Sequence, residues 1–270
     1  MKTIPQPLRW HGGKAYQASH IIKQMPPHTR YCEPYFGGGA VLFAKSSDRV
    51  AEFINDIHGD LVNFYRVLRD KETFHEFQRM VEATPFSPIE FHAAKNILQS
   101  TNCSEVERAH AFFVRYRQSR QGLAKCFATP TSRTRRGMNE QVSAWLTAVD
   151  GLAEAHARLR RVEVRQQDAL DFIAELDSEQ TLFYLDPPYL HETRSTTNCY
   201  EFEMTPGQHQ ALLEVLQTIK GKFLLSGYPS PLYDVAAQRA GWNRSDLAID
   251  NKASSAKTKE KKTECLWRNF

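Results

Sequence analysis

The chain has 270 residues, 41% apolar and 24% charged, the balance of a globular protein with ample material for a core. Five scattered cysteines (Cys32, Cys103, Cys126, Cys199, Cys265) without a CxxC pair point to reduced, cytosolic thiols and away from a disulfide framework or a zinc site. The opening MKTIPQPLRW has no apolar leader core and no run is long enough to span a bilayer, so neither secretion nor membrane insertion is expected. The net charge is +4, yet Arg108 to Asn139 holds eight Lys/Arg and no Asp or Glu, so the remainder sums to −4. Such a basic block on an acidic body reads either as a polyanion-facing surface or as a solvated charged face. A second basic cluster runs from Lys252 to Lys262.

In chain order, PLRWHGGKAYQASHIIKQM predicts a Gly-Gly turn and a short amphipathic helix with Ile21, Ile22 and Met25 inward. RYCEPYFGGGAVLF predicts a strand into Glu33-Pro34, a triple-glycine turn and the start of a helix. RVAEFINDIHGDLVNFYRVLRD predicts a second strand ending near Asp56, then a helix burying Leu61, Phe64, Tyr65 and Leu68. This is the front half of a doubly wound α/β fold. Residues 71–160 show helical periodicity, basic loops and no strand run, as expected of an insert. The strand–helix rhythm resumes at VEVRQQDALDFIAEL, and TLFYLDPPY reads as a buried strand. Thr205, Pro206 and Gln208 predict a capping box ahead of a helix that feeds the strand KFLLSGY. WNRSDLAI and TECLWRNF read as two closing strands, with antiparallel pairing open.

Ligands of open α/β sheets sit beyond the carboxyl ends of the strands. Three predicted strand ends carry chemistry there: Glu33-Pro34 with Gly37-Gly38-Gly39, Asp56, and Asp186-Pro187-Pro188-Tyr189. Asp56 follows Gly39 by 17 residues, about where an acid meets ribose hydroxyls in nucleoside-binding folds. The pattern is neither GxGxxG nor a P-loop, and a tight structural turn would explain the glycines equally well. Asp186 ends a strand that two prolines cannot extend, because neither has an N–H for the ladder. A carboxylate beside proline carbonyls offers two acceptors to an –NH2 group, and Tyr189 offers a ring for a planar base to stack on. The plainer alternative is a strand terminator in which Asp186 caps the next turn.

The stretches LRWHGGK, EPYFGGGAV, FINDIHGDLVNFY and FYLDPPY, in this order, resemble the Dam-type, alpha-group adenine-specific DNA methyltransferases, in their phage-like branch. The resemblance covers the chain nearly end to end, through LLSGYPSPLYD and TECLWRNF. It implies a Rossmann-like methyltransferase sheet formed by residues 1–70 and 161–270, with 71–160 as a mostly helical DNA target-recognition insert. It further implies S-adenosylmethionine as methyl donor, a flipped adenine of double-stranded DNA as acceptor, and no metal. A monomer in the cytoplasm of a bacterium or a phage-infected cell is expected.

Carried onto this sequence, Trp10 and Lys14 match the motif that closes over the cofactor. Without the resemblance, a core tryptophan and a surface lysine would be the plainer reading. Glu33, Pro34, Phe36, Gly37 and Gly39 match the motif at the methionine end, and Asp56 the ribose acid. Asp168 matches the position beside the cofactor's adenine, with Asp171 an alternative in the same QQDALD segment. Asp186, Pro187, Pro188 and Tyr189 match the catalytic motif, with Asp186 also near the donor. Arg115, Arg117, Arg120, Lys125, Arg133, Arg135 and Arg136 are the candidates to grip DNA phosphates or read guanine edges. The insert departs from GATC-specific enzymes, carrying RQSRQGLAKCF and SRTRRGMNEQ where they have Asn-Gly-Leu and Phe-Asn-Val-Pro-like segments. The recognised sequence therefore stays open. Rival readings are a cytosine-N4 methyltransferase and a non-catalytic DNA-binding protein that kept the fold. An NAD-dependent enzyme is disfavoured by the missing GxGxxG.

Overall fold

The computed structural model describes residues 4–194, 201–250 and 261–270. Cys199 and most of the Lys252–Lys262 cluster lie outside them. In chain order the strands are β1 (Arg30–Glu33), β2 (Ala51–Asn55), β3 (Thr134–Arg135), β4 (Met138–Asn139), β5 (Val162–Arg165), β6 (Thr181–Leu185), β7 (Lys222–Gly227), β8 (Asn243–Asp250) and β9 (Lys261–Arg268). The helices are α1 (Ala18–Lys23), α2 (Ala40–Ala44), α3 (Gly59–Arg69), α4 (Lys71–Glu82), α5 (Pro88–Gln99), α6 (Glu105–Arg117), α7 (Glu140–Asp150), α8 (Leu152–Leu159), α9 (Ala169–Leu176), α10 (Pro206–Leu216) and α11 (Pro231–Ala240). Among the described residues no helix is long and apolar enough to cross a membrane.

Seven strands form one sheet in the order β5-β2-β1-β6-β7-β9-β8. The pairs β1–β2, β1–β6 and β6–β7 are parallel; β9 runs antiparallel to β7 and to β8. This is the Rossmann-like α/β sheet that the sequence predicts, including its two closing strands. From β1 the chain continues to β2 on one side, while β6 lies on the other. That reversal makes a topological switch point, where such sheets place their ligands. All five residues of β6 are buried, as a central strand covered on both faces requires, and Pro187 and Pro188 end it.

The chain divides into two compact units. The first comprises Met1–Gln24, Phe36–Asp48 and His58–Gln166, so residues 71–160 lie wholly within it beside N-terminal segments. Its core is an aromatic cluster on α3, α4 and α6. Phe64, Phe77, Phe112 and Phe113 are buried, with Phe64 and Phe113 stacked at 6.0 Å and Phe77 edge-on to Phe113 at 5.8 Å. Burying each ring contributes about 1.5–3 kcal/mol. Asp70 caps α4 by accepting from the Glu72 and Thr73 amides, and Ser104 with Glu107 closes a capping box on α6.

Residues 71–160 are mostly helical, as expected, but the absence of strands does not hold: β3 and β4 form a hairpin whose turn residues, Arg136 and Gly137, have φ of 55° and 73°. Positive φ at both central positions is the I′ geometry of a two-residue hairpin. Two-residue strands are too short to show alternation, so only the RRG segment could have signalled it. Of the three residues expected inward at α1, Ile21 is buried together with Ala18, whereas Ile22 and Met25 are only half-buried; the helix ends at Lys23, so Met25 lies beyond it.

The second unit comprises Met25–Tyr35, Arg49–Ile57 and Gln167–Phe270. Its core joins Phe172, Phe183, Leu185, Leu213, Phe223 and Trp267. The capping box of α10 forms as predicted, with Thr205 accepting from the Gln208 amide.

Candidate active site

In the second unit, the ends of β1 and β6 bring carboxylates together. Glu33 is buried and accepts from the Tyr31 hydroxyl at 2.8 Å. Tyr184, buried on β6, shares a 3.1 Å hydrogen bond with Ser226. Its hydroxyl is held well above the usual phenol range, first by burial and then by Asp186, with Glu33 and Glu264 adding to it. Three carboxylates thus set the field around one buried phenol. Like charges held close together in a low-dielectric interior are expensive, so this cluster of carboxylates favours a cationic partner.

Tyr189 donates its hydroxyl to Glu264 and meets Tyr228 edge-on at 4.8 Å. A groove of about 420 Å³ opens beside Tyr228, lined also by Glu192, Thr193, Ser230 and Thr263. Its volume is in the range of small-molecule sites. Behind the Pro-Pro turn lies His209, fully buried on α10, with Nδ1 2.8 Å from the Tyr233 hydroxyl. Burial and the nearby Arg194 push its pKa down to about 4, while the Pro188 carbonyl opposes them. The folded chain therefore holds this imidazole neutral, whereas the unfolded chain protonates it near 6.5. Its contribution is full above pH 6.5 and is lost as pH falls towards 4. Urea midpoints measured from pH 7 to 5 should fall in the wild type and fall less in His209→Gln.

The expected cofactor acids converge on Tyr35. Burial, Tyr233, Asp168 and Asp56, in that order, raise its hydroxyl pKa. Asp168 caps α9, accepting from the Leu170 amide at 2.7 Å, while Asp171 is exposed in the first helical turn. Asn55 joins the strand ends. Its Nδ2 donates to the Pro34 and Gln167 carbonyls, each at 3.1 Å, and its Oδ1 accepts from the Gln167 amide at 2.9 Å.

In the first unit, the glycine turn lies under Trp10. A Cβ on Gly37 would come within 2.7 Å of the indole Nε1, and one on Gly38 within 2.6 Å of the Trp10 Cβ. Gly39 has φ of 68°, and a side chain there would collide with the buried Phe36 ring. Trp10 is half-buried and stacks on Tyr116 at 4.8 Å, whereas Lys14 is buried and donates to the Gly12 carbonyl at 3.0 Å. The plain reading of a surface lysine therefore fails, while Trp10 sits at the edge of the aromatic core.

The basic residues divide. Arg115 is buried: it donates to the Phe91 carbonyl at 3.2 Å and to the Ala124 carbonyl, with its guanidinium 3.8 Å from the Phe91 ring centroid. It is a structural residue in this geometry and drops out of the candidates for DNA contact, because its donors are spent on backbone. Arg115→Ala should cost about 2–4 kcal/mol by stranding two carbonyls, read as a lowered melting temperature. Burial, with Arg9 nearby, pushes the Arg117 guanidinium down to about 10. Arg120, Lys125, Arg133, Arg135 and Arg136 are exposed, the last three in or beside the hairpin, where Arg136 reaches Thr147 at 3.2 Å.

Sequence reading missed Asn55, Tyr35, His209 and Glu264. The available signals were polar residues in otherwise buried runs: Asn55 at the end of AEFIN, and Glu264 before Cys265-Leu266-Trp267.

The sheet, its switch point and the Asp-Pro-Pro-Tyr strand end define a Rossmann-like methyltransferase. The chain belongs to the D12 class N6 adenine-specific DNA methyltransferase family, whose sequence model matches residues 10–260. Among curated relatives it is 25% identical over 284 residues to the type II methyltransferase M1.LlaDCHI of Lactococcus lactis, covering 97% of this chain and 94% of that protein. It is 26% identical over 197 residues to the DNA N-6-adenine-methyltransferase of Escherichia phage P1, covering 71% of this chain and only 25% of that longer protein. The type II methyltransferase M.MjaIII of Methanocaldococcus jannaschii is 25% identical over 233 residues, 73% of each chain.

Proposed function

We propose that this chain transfers a methyl group from S-adenosylmethionine to the exocyclic N6 amine of an adenine flipped out of double-stranded DNA, at a specific site. The observation that carries the reading is the set of carboxylates, Asp186, Glu33 and Glu264, that act on the buried Tyr184 beside the Asp186-Pro187-Pro188-Tyr189 turn. The residues fit the donor. Asp186 and Glu33 favour its cationic sulfonium end, and Asp56 and Asp168 offer acceptors to its ribose and adenine. When bound, the donor supplies an electrophilic methyl on a sulfonium, which departs as a neutral thioether.

The chain's residues prepare the acceptor. Asp186 and the Pro187 carbonyl accept the two N–H bonds of the amine, so its lone pair turns out of conjugation towards the methyl. After transfer the nitrogen carries one proton too many, and the Asp186 carboxylate is placed to receive it. Tyr189 stacks on the flipped base. Residues 71–160 serve as the target-recognition insert, with Arg117, Arg120, Lys125, Arg133, Arg135 and Arg136 as the phosphate and base contacts. The protein works as a monomer in the cytoplasm.

Incubation with methyl-labelled donor and unmethylated duplex DNA, followed by nucleoside digestion, tests this reading. Label in N6-methyl-2′-deoxyadenosine is expected; label in N4-methyl-2′-deoxycytidine, or none, overturns it. Arg135→Ala should reduce the salt slope of DNA binding by about one unit without lowering the melting temperature.

A further inference from the structure

We propose that Glu264 is a positioning residue for the methyl acceptor: its carboxylate holds the Tyr189 ring, through the phenolic O–H, in the orientation that stacks on the target base. This rests on the reading of the Asp186-to-Tyr189 turn as the acceptor site. Glu264 sits in β9 opposite Leu247 of β8, and its strand neighbour Cys265 belongs to the core on the other face. Only 6% of it is exposed, so the strand buries a carboxylate in an apolar run. Such burial is destabilising unless the carboxylate receives hydrogen bonds, and Tyr189 supplies one.

Stacking on a base needs only an aromatic face, so the hydroxyl of Tyr189 has another task. A phenol anchored only at its Cβ swings about two side-chain torsions. Here the ring is held at two further points, by Glu264 at the hydroxyl and by the edge of Tyr228 at 4.8 Å. Burial, Asp186 and Glu264 together keep the phenol protonated, so the O–H remains a donor throughout the physiological range. The anchor is therefore permanent rather than titratable. Glu264 touches no reacting atom; it acts through Tyr189.

The test is a double-mutant cycle on the full chain, measuring kcat, the KM for unmethylated plasmid DNA and donor binding by calorimetry. Tyr189→Phe and Glu264→Leu should each lower kcat by about tenfold to a hundredfold, the loss expected when a reacting group is misplaced by about 1 Å. Donor affinity should change less than about twofold. Glu264→Gln should recover most of the rate, because its amide oxygen still accepts the O–H. In the Tyr189→Phe background, Glu264→Leu should have no further effect. An equal loss in both backgrounds overturns the proposal. Should Glu264→Leu fail to fold, Tyr189→Phe cuts the same bond from the other end, and a wild-type kcat there overturns it equally. Asp186→Ala separates the two readings. Full activity in that variant sinks the acceptor site itself; an inactive Asp186→Ala alongside fully active Tyr189→Phe and Glu264→Leu sinks only the role of Glu264.

Discussion

Asp186→Ala is expected to lower kcat for methyl transfer by at least about 10²–10³-fold, the scale of losing a preorganised charged hydrogen-bonding group at a reacting centre. The amine of adenine is a poor nucleophile because its lone pair is delocalised into the ring. With Asp186 removed, one of two acceptors is gone, and nothing compels the nitrogen to become tetrahedral. The fold should survive. Asp186 lies beyond the end of β6, and its charge acts with those of Glu33 and Glu264 on the buried Tyr184, so its removal leaves fewer like charges around that phenol. The melting temperature should be equal to or higher than that of the wild type, the usual trade between an active site and stability. Asp186→Asn should fall between the two in rate, since its amide keeps one acceptor but adds a competing donor. A single-turnover assay with labelled donor, run beside thermal melts of all three proteins, measures both effects. An Asp186→Ala enzyme of wild-type rate would remove the carboxylate from the mechanism.

The second large effect is expected at a residue that touches no reacting group. Asn55 is 1% exposed and makes three hydrogen bonds, to the Pro34 carbonyl and to both backbone groups of Gln167. Those bonds tie the end of β1 to the turn that presents Asp168. Asn55→Ala removes three bonds, one buried at the Pro34 carbonyl and two part-buried at Gln167, and at about 1–3 kcal/mol for a stranded group a total of about 2–4 kcal/mol is expected. Asn55→Asp should be at least as damaging at pH 7, since it sets an anionic oxygen against two carbonyls. Its folded-state pKa would be raised, so part of the lost stability should return as the pH is lowered and the carboxyl becomes a donor. Denaturant titrations at pH 7 and pH 5 read both signs. Donor affinity should weaken in parallel, because Asp56 and Asp168 flank the tie. If Asn55→Ala melts with the wild type, the three bonds do not hold the strand ends together.

The division among the arginines bears on which of them can be proposed to meet DNA. Arg115 is locked into backbone carbonyls, while Arg133, Arg135 and Arg136 surround a hairpin with no strand-length signature in the sequence. Charge counting treats these residues alike. Only exposure separates a side chain free to meet a phosphate from one that braces a helix.

What the sequence determined by itself was the chain of local events along the backbone. Pro187 and Pro188 keep β6 from continuing past Leu185 and Asp186 whatever surrounds them, because neither has an N–H to donate. The Thr205–Gln208 capping box forms from contacts three residues apart. The triple glycine turn needs backbone angles and space that side chains deny. Strand–turn–helix periodicity was enough to predict the α/β sheet, and its four ordered motifs were enough to indicate the family. The tertiary structure decided what depends on approach between distant segments. It set Glu264 against Tyr189, 75 residues earlier in the chain, and Asn55 against Gln167, 112 residues later. It also buried Lys14 and Arg115, which composition alone assigns to the surface. A carboxylate in a strand or an arginine on a helix carries no local mark of its partner. Its role follows from which strands pair in register and which faces they bury, and that is a property of the assembled sheet rather than of any stretch within it.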